Sequence, residues 1–394
     1  MLFHESPGSV KSACARQLRR LHRPAQVAVF ALLLSVQAQA FEDPLHAPAI
    51  QVPVAAQSLL LDVALTGSRI VAVGERGHIL YSDDLGQSWT QAEVPVRVML
   101  TAVTFPDAGP LGWAVGHQGV ILMSQDGGLT WSKQLDGNQA HQLMVDAFTT
   151  AAEARIEALE LAAESEREPL EMELESLEFM LDDSASFVEE GPVRPFVDLW
   201  FKNPSEGFAV GTFGLILRTR DGGKSWYSPA PSLKNPDARH YNAMAGDENA
   251  LFIAGEGGHI QRSTDGGETW ELLDSPYEGS FFDVVVDKER VLLLGLRGNA
   301  FLSEDNGETW APVETGTNLN LSKAVLLEDG RFLMSQYAPQ LLISNPDSTA
   351  FKRLPWSSTG AISSFLILQQ GPMITVGTNG VTAHSAQSFS VEVN

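Results

Sequence analysis

The chain has 394 residues, with 26 Lys and Arg against 49 Asp and Glu, a formal charge of −23, and a single cysteine. Such an acidic balance argues against nucleic-acid binding and against simple attraction to anionic lipid; it suits a basic partner, or plain solubility. With one thiol, stability must come from packing rather than from intrachain disulfides.

Residues 1–40 read as a secretory signal peptide. Lys11, Arg16, Arg19, Arg20 and Arg23 form a basic stretch, Ala25 to Val36 is apolar, and Ala38-Gln39-Ala40 is a small-x-small cleavage site before Phe41. The apolar run is about a dozen residues, short of the roughly 20 that a membrane span needs. Cys14 lies inside this leader and ahead of the apolar run, badly placed for a lipid anchor. Cleavage removes five basic residues and one acidic residue and moves the formal charge to about −27. The expected product is exported to the periplasm, soluble or peripheral to the membrane, with no membrane span in the mature form.

Residues 41–56 are rich in Pro and Ala and form a lead-in, or a closing segment in which Ile50 to Val54 adds a strand. From residue 57 to 394 one phrase recurs: an apolar strand, a second strand ending in glycine, a turn, a third strand, and a Ser/Thr-x-Asp-x-Gly-x-Ser/Thr-Trp box. The boxes carry Asp84 and Trp89, Asp126 and Trp131, Asp221 and Trp226, Asp265 and Trp270, Asp305 and Trp310. Two copies without boxes follow, around Phe332 to Asn345 and Met373 to Val381. The anchors at 74, 116, 211, 255, 295, 335 and 377 are spaced 42, 95, 44, 40, 40 and 42 residues apart. Seven anchors at a period near 42 predict an all-β fold, a seven-bladed β-propeller of four-stranded blades. Period alone does not prove closure, and an open stack or a β-helix remains an alternative reading.

Each residue of the phrase has a mechanical job. The anchor glycine allows close backbone approach. The box Asp accepts from turn amides, its Gly supplies positive φ, and its Trp covers the gap between strands. The boxes are therefore structural, and none is read as catalytic.

The long spacing between the second and third anchors holds an insertion, residues 134–195. Residues 150–190 contain fourteen acidic side chains and two basic ones, Arg155 and Arg167. Apolar residues at three- and four-residue steps predict two helices, Gln142 to Glu168 and Pro169 to Leu181, with the break near Arg167-Glu168-Pro169. The bland alternative is a disordered acidic loop; the functional reading is an arm that binds a partner. At the far end, Ser388 to Val393 alternate and could supply an outer strand for the last blade.

Repeated boxes of this kind are those of sialidase-like propellers. The longer phrase, from Gly112 to Leu122 and from Asp126 to Trp131, resembles the photosystem II assembly and stability factors of plants and cyanobacteria, the Ycf48/Hcf136-like family. The resemblance covers roughly residues 57–133 and 195–394. It implies a seven-bladed propeller that binds an integral-membrane client during assembly, and exported accessory proteins of envelope transporters among non-photosynthetic bacterial members. The family's partner-binding surface is arginine-rich; the local candidates here are Arg218, Arg220, Arg239, Arg262, Arg290 and Arg297.

The competing expectation is a sialidase-like glycan hydrolase or a glycan-binding module. A hydrolase of that class needs a tyrosine nucleophile, for which Tyr241 and Tyr277 are the candidates. His78, His117 and His259 sit at related repeat positions and read as polar loop residues rather than as zinc ligands. The expectation is a non-catalytic periplasmic scaffold, with no cofactor and no metal, serving an integral-membrane or envelope protein such as a transporter.

Overall fold

The computed structural model describes residues 42–368 and 371–385. The leader through Ala40 and the alternating segment Ser388 to Val393 lie outside the described residues. The fold is all-β and propeller-like, with two helices. Seven antiparallel sheets follow one another along the described chain, five of four strands and two of three, each a meander in sequence order. Their first strands are Leu60–Thr66, Leu100–Thr104, Phe196–Phe201, Tyr241–Gly246, Phe281–Asp287, Leu321–Leu326 and Ile362–Ile367. Each first strand packs against the first strand of the next sheet, and the seventh packs against the first. These are the inner strands.

The second strands are the best shielded. Arg69–Gly74, Gly112–Gly116, Gly207–Gly211, Leu251–Gly255 and Arg290–Gly295 are buried over nearly their whole lengths, with sheets on both faces. A strand covered on both faces reads as a continuous apolar run rather than an alternation. Gly74 ends the first of them in extended backbone, with φ −176°. A Cβ there would lie 2.2 Å from the Leu59 carbonyl oxygen, and at Gly377 1.9 Å from that of Ala361. The next amides, of Glu75 and Thr378, donate to those carbonyls at 3.0 and 3.1 Å. Glycine is required here for close approach, not for its dihedral freedom.

The five boxes make one hydrogen-bond pattern at the turn after the third strand of their sheets. In the first, the Gly86 amide donates to Ser82 Oγ at 2.8 Å, Ser82 Oγ donates to Asp84 Oδ1 at 2.7 Å, and the Ser88 amide donates to Asp84 Oδ1 at 2.9 Å. The same contacts recur around Asp126, Asp221, Asp265 and Asp305. These bonds hold the Asp84 and Asp265 carboxyls near pKa 2; the hydroxyls of Ser88 and Thr269 contribute most. Both carboxyls lie in surface turns, Asp84 half-buried and Asp265 exposed, so the low values report turn geometry rather than stability.

The lead-in forms no strand at Ile50 to Val54. It lies along the outer edge of the first two sheets as irregular chain, with Leu45, Ala47 and Ala49 buried. Its amides find other partners: Ala49 donates to the Val94 carbonyl at 3.0 Å and Val52 to the Gln91 side chain at 3.1 Å. Pro44, Pro48 and Pro53 lack the amide that a ladder would need.

The insertion is a helical hairpin, α1 (Gly137–Leu161) and α2 (Glu164–Glu190). Its break falls at Ala162 and Ala163, several residues before the predicted one, and Pro169 lies inside α2. Both alanines have extended ψ, 140° and 156°. Arg167 donates back to the Leu159 carbonyl at 3.2 Å, serving the frayed end of α1, and the Ala163 amide donates to Glu166 at 3.3 Å. End-capping by these two charged side chains decides the break. Pro169, early in α2, removes a single ladder bond.

Candidate binding groove

Successive turns of a meander lie at opposite ends of its sheet, so the boxes occupy one end and the turns after the anchor glycines the other. At that second end Arg76, Gln118, Phe213, Gly257 and Arg297 take equivalent left-handed backbone, with φ of 56–59°. The hairpin rises from this end. Gly137 at the start of α1 lies against the turn at Gly119, where a Cβ would come within 2.5 Å.

The base of the hairpin is fixed by polar and aromatic contacts. Asp136 caps α1, accepting from the Asn138 amide at 3.2 Å while its own amide donates to Gln139 at 3.0 Å. The Arg194 guanidinium sits between the rings of Phe187 and Phe213, 3.8 Å from each centroid, and pairs with Glu190 at 2.7 Å. A cation between two aromatic faces, partly desolvated, contributes about 1–2 kcal/mol. His141 Nδ1 lies 3.1 Å from the Phe187 carbonyl oxygen.

The third sheet explains why α1 lies where it does. After its third strand it makes one antiparallel bridge, Arg218 with Tyr227, and then Pro229 and Pro231 end the pairing. Buried Ala140, Met144 and Phe148 of α1 join the core of this sheet, and Ser228 Oγ lies 3.3 Å from Met144 Sδ. The helix thus covers an outer edge that the other four-stranded sheets close with a strand.

Farther out, α1 and α2 stand off the sheets and leave a groove of about 520 Å³. Its helical wall includes Phe148, Leu177 and Met180; its sheet wall includes Pro231, Leu233 and Leu272. The Arg155–Glu173 pair, 2.7 Å apart, closes the end nearer the hairpin tip. Size and lining suit an apolar side-chain cluster of a ligand or peptide. A second hollow of about 620 Å³ lies on the other side of α1, with Arg218, Arg220, Tyr227 and Glu268 in its wall.

The six candidate arginines are spread over the third to fifth sheets and form no common patch. Arg218 and Arg262 occupy the same position of neighbouring third strands and are only 5% and 8% exposed. Each reaches the box turn of the next sheet: Arg218 donates to the Gly267 carbonyl at 3.2 Å, Arg262 to that of Asn306 at 2.6 Å. Arg290 spans the next interface, to the Gly330 carbonyl at 3.3 Å and Ser348 Oγ at 2.9 Å. Arg239 donates to the Gly257 carbonyl at 2.8 Å and pairs with Asp237. Arg220 is exposed and shares Glu268 with Arg218. Arg297 is exposed at its turn.

Tyr241 is 1% exposed, and burial pushes its hydroxyl above its ordinary pKa, the wrong direction for a nucleophile. Tyr277 packs between Phe281 and Phe301, its hydroxyl 3.4 Å from the Leu296 carbonyl oxygen. His259 is buried beside Tyr241 and Gln261, and burial drives its pKa down to about 4. His78, His117 and His259 belong to the first, second and fourth sheets. Among the described residues no three His, Cys, Asp or Glu side chains are placed to hold a metal ion.

The box-free pattern hid one set of charged residues. Asp62, Asp198 and Asp283 stand at the register shift of the first, third and fifth inner strands. Each accepts an amide from the next inner strand: Val103 at 3.0 Å, Met244 at 2.9 Å, Ala324 at 2.7 Å. Ser364 of the seventh sheet donates to Asp62 at 2.8 Å, and Lys323 pairs with Asp283 at 3.3 Å. The signal was readable: the third residue of every second inner strand up to the fifth is Asp.

A family model described as photosynthesis system II assembly factor YCF48 matches residues 42–151 and 188–334. The unmatched stretch between them is the outer part of the hairpin. The photosystem II assembly lipoprotein Ycf48 of Synechococcus sp. (strain CC9902) is 34% identical over 102 residues, 25% of this chain and 28% of that protein. The chloroplastic photosystem II stability/assembly factor HCF136 of Oryza sativa subsp. japonica is 30% identical over 73 residues, 18% of each chain. The matched parts thus span less than a third of these relatives. Two solved structures, YCF48 bound to D1 peptide and YCF48 from Cyanidioschyzon merolae, each superpose with a TM-score of 0.57 over 85% of this chain. They cover 95% and 97% of those chains at 16% and 15% identity. The WD40 propeller domain of Doa1 matches with a TM-score of 0.54 at 12% identity, over 86% of this chain and 95% of that domain.

Proposed function

This chain belongs to the photosystem II assembly factor YCF48 family, and from that premise we propose that it is a non-catalytic scaffold that binds a membrane-protein client. The carrying observation is the hairpin, held at its base by the contacts of Arg194 with Phe187 and Phe213 and open beside the sheets as a groove of about 520 Å³. A helical wall beside a groove lined with apolar side chains is suited to holding a segment of another chain. One solved structure of the same fold is YCF48 bound to D1 peptide, which favours peptide binding as the common mode.

The seven sheets are read as seven blades of one closed ring. Contact between the seventh and first inner strands and the Ser364–Asp62 bond support this. We also infer export to the periplasm, from the basic stretch, apolar run and Ala38-Gln39-Ala40 site of the leader. No helix among the described residues is long and apolar enough to cross a membrane. The client would then be an envelope protein such as a transporter, rather than a photosynthetic complex.

Affinity capture of the tagged protein from crosslinked cell envelopes tests the reading. One integral-membrane protein should be enriched reproducibly over an unrelated exported propeller. Capture of no protein, together with activity on glycans or retention on a glycan array, would replace this reading with the carbohydrate one.

A further inference from the structure

Resting on that reading, we infer that the groove between the hairpin and the third and fourth sheets selects a cationic amphipathic segment of the client, apolar side chains inward and Lys or Arg outward.

The groove itself is apolar on both sides. Phe148 of α1 and Leu177 and Met180 of α2 face Pro231, Leu233 and Leu272 across it. An extended or helical segment with two or three apolar side chains would fill that volume, removing apolar surface of both partners from water.

Charge on the hairpin wall is almost wholly acidic, and the opposite wall carries one exposed cation, Lys234. Residues 137–190 carry fifteen acidic and two basic side chains. Both basic residues are engaged within the hairpin: Arg155 pairs with Glu173 at 2.7 Å and Arg167 with Glu171 at 3.7 Å. The remaining carboxylates of α2, including Glu168, Glu175, Glu178 and Asp182, are exposed. Their summed field draws in a cationic segment and repels an acidic one. It also disfavours a second copy of this chain, itself strongly acidic, and an anionic lipid surface.

The hairpin's outer part is also what the family model leaves unmatched. Leu177 and Met180 of the helical wall thus lie outside the part matched to the family, while Phe148 lies within it. A partly added wall with its own charge changes which client segment fits, while the ring beneath stays the same.

The test uses the whole exported chain and three synthetic twelve-residue peptides: Leu/Lys amphipathic, Leu/Glu amphipathic, and Ser/Lys without apolar residues. Binding is read by fluorescence anisotropy. The Leu/Lys peptide should bind at least tenfold tighter than either control, and the affinity should fall as salt rises. Ser176 lines the groove from an exposed position of α2. Ser176→Trp fills the groove without touching the core, so it should weaken the Leu/Lys peptide at least tenfold with an unchanged Tm. Equal affinity for all three peptides, or no effect of Ser176→Trp, overturns the assignment. Envelope capture separates the two levels: a client retained undiminished by Ser176→Trp sinks the groove and leaves the scaffold reading intact, whereas no client for either protein sinks the scaffold reading.

Discussion

Arginine in this fold does two different jobs, and exposure tells them apart. Arg218 and Arg262 spend their guanidiniums on carbonyls of the next sheet's box turn, where no water could easily replace them. Arg297 stands exposed on the end that carries the hairpin. Arg218→Met leaves a buried carbonyl, and Arg262→Met a half-buried one, with a lost partner; each costs about 1–3 kcal/mol and lowers the Tm. Arg297→Ala should leave the Tm unchanged, and if this end of the ring touches the client, it should reduce envelope capture. Differential scanning calorimetry of the three variants checks the first claim; a stable Arg262→Met protein would refute the role as a bridge between sheets. Sequence alone gave all six arginines the same standing, because composition and repeat position do not show which face of a strand packs against the next sheet. Arg218 and Arg262 share a repeat position one residue before the box. That position had the information, but only the inter-sheet geometry gives it meaning.

At the scale of elements, the repeat was legible and the insertion only partly so. Anchor glycines and boxes are local devices whose residues make their own turns, so their spacing reported strands and turns directly. The two helices were readable from apolar periodicity, but their ends depend on what the end groups find in three dimensions. Proline drew the predicted break to Pro169, yet Arg167 and Glu166 supply the partners that end one helix and start the next. The docking of the hairpin was not legible at all, since Phe187, Arg194 and Phe213 lie on three separate elements. That docking has a direct test. Arg194→Ala removes the cation between the two rings and leaves the inter-sheet contacts untouched. Hydrogen exchange at amides in the last turns of α2 should quicken by about tenfold, the equivalent of roughly 1.4 kcal/mol, while amides of the second strands keep their protection. Unchanged exchange in α2 would mean that α1 packing alone holds the hairpin.

For the molecule as a whole, the set of inner strands poses a charge problem. Asp62, Asp198 and Asp283 share one ammonium, Lys323, and all interact with it. Burial pushes the Asp198 carboxyl up to about 6 against the pull of Lys323 and of the Met244 amide, and Asp283 and Asp62 add to the rise. The Asp283 carboxyl is raised as well, again by burial first. In the unfolded chain Asp198 titrates near 3.9. Between about pH 4 and 6 the folded protein therefore holds more of this proton than the unfolded chain, and folding stability falls as pH rises through that window. His259, lowered to about 4, acts in the opposite sense over a similar range, because the folded state then binds fewer protons than the unfolded one. A single stability curve would mix the two. Comparison with Asp198→Asn isolates the first: the amide oxygen can still accept from Met244, and His259 is common to both proteins. The Tm difference, variant minus parent, should be flat below about pH 4, grow in the variant's favour up to about pH 6–7, and level off above. A difference independent of pH would mean that the Asp198 carboxyl titrates alike in the folded and unfolded chains, Lys323 offsetting the effect of burial.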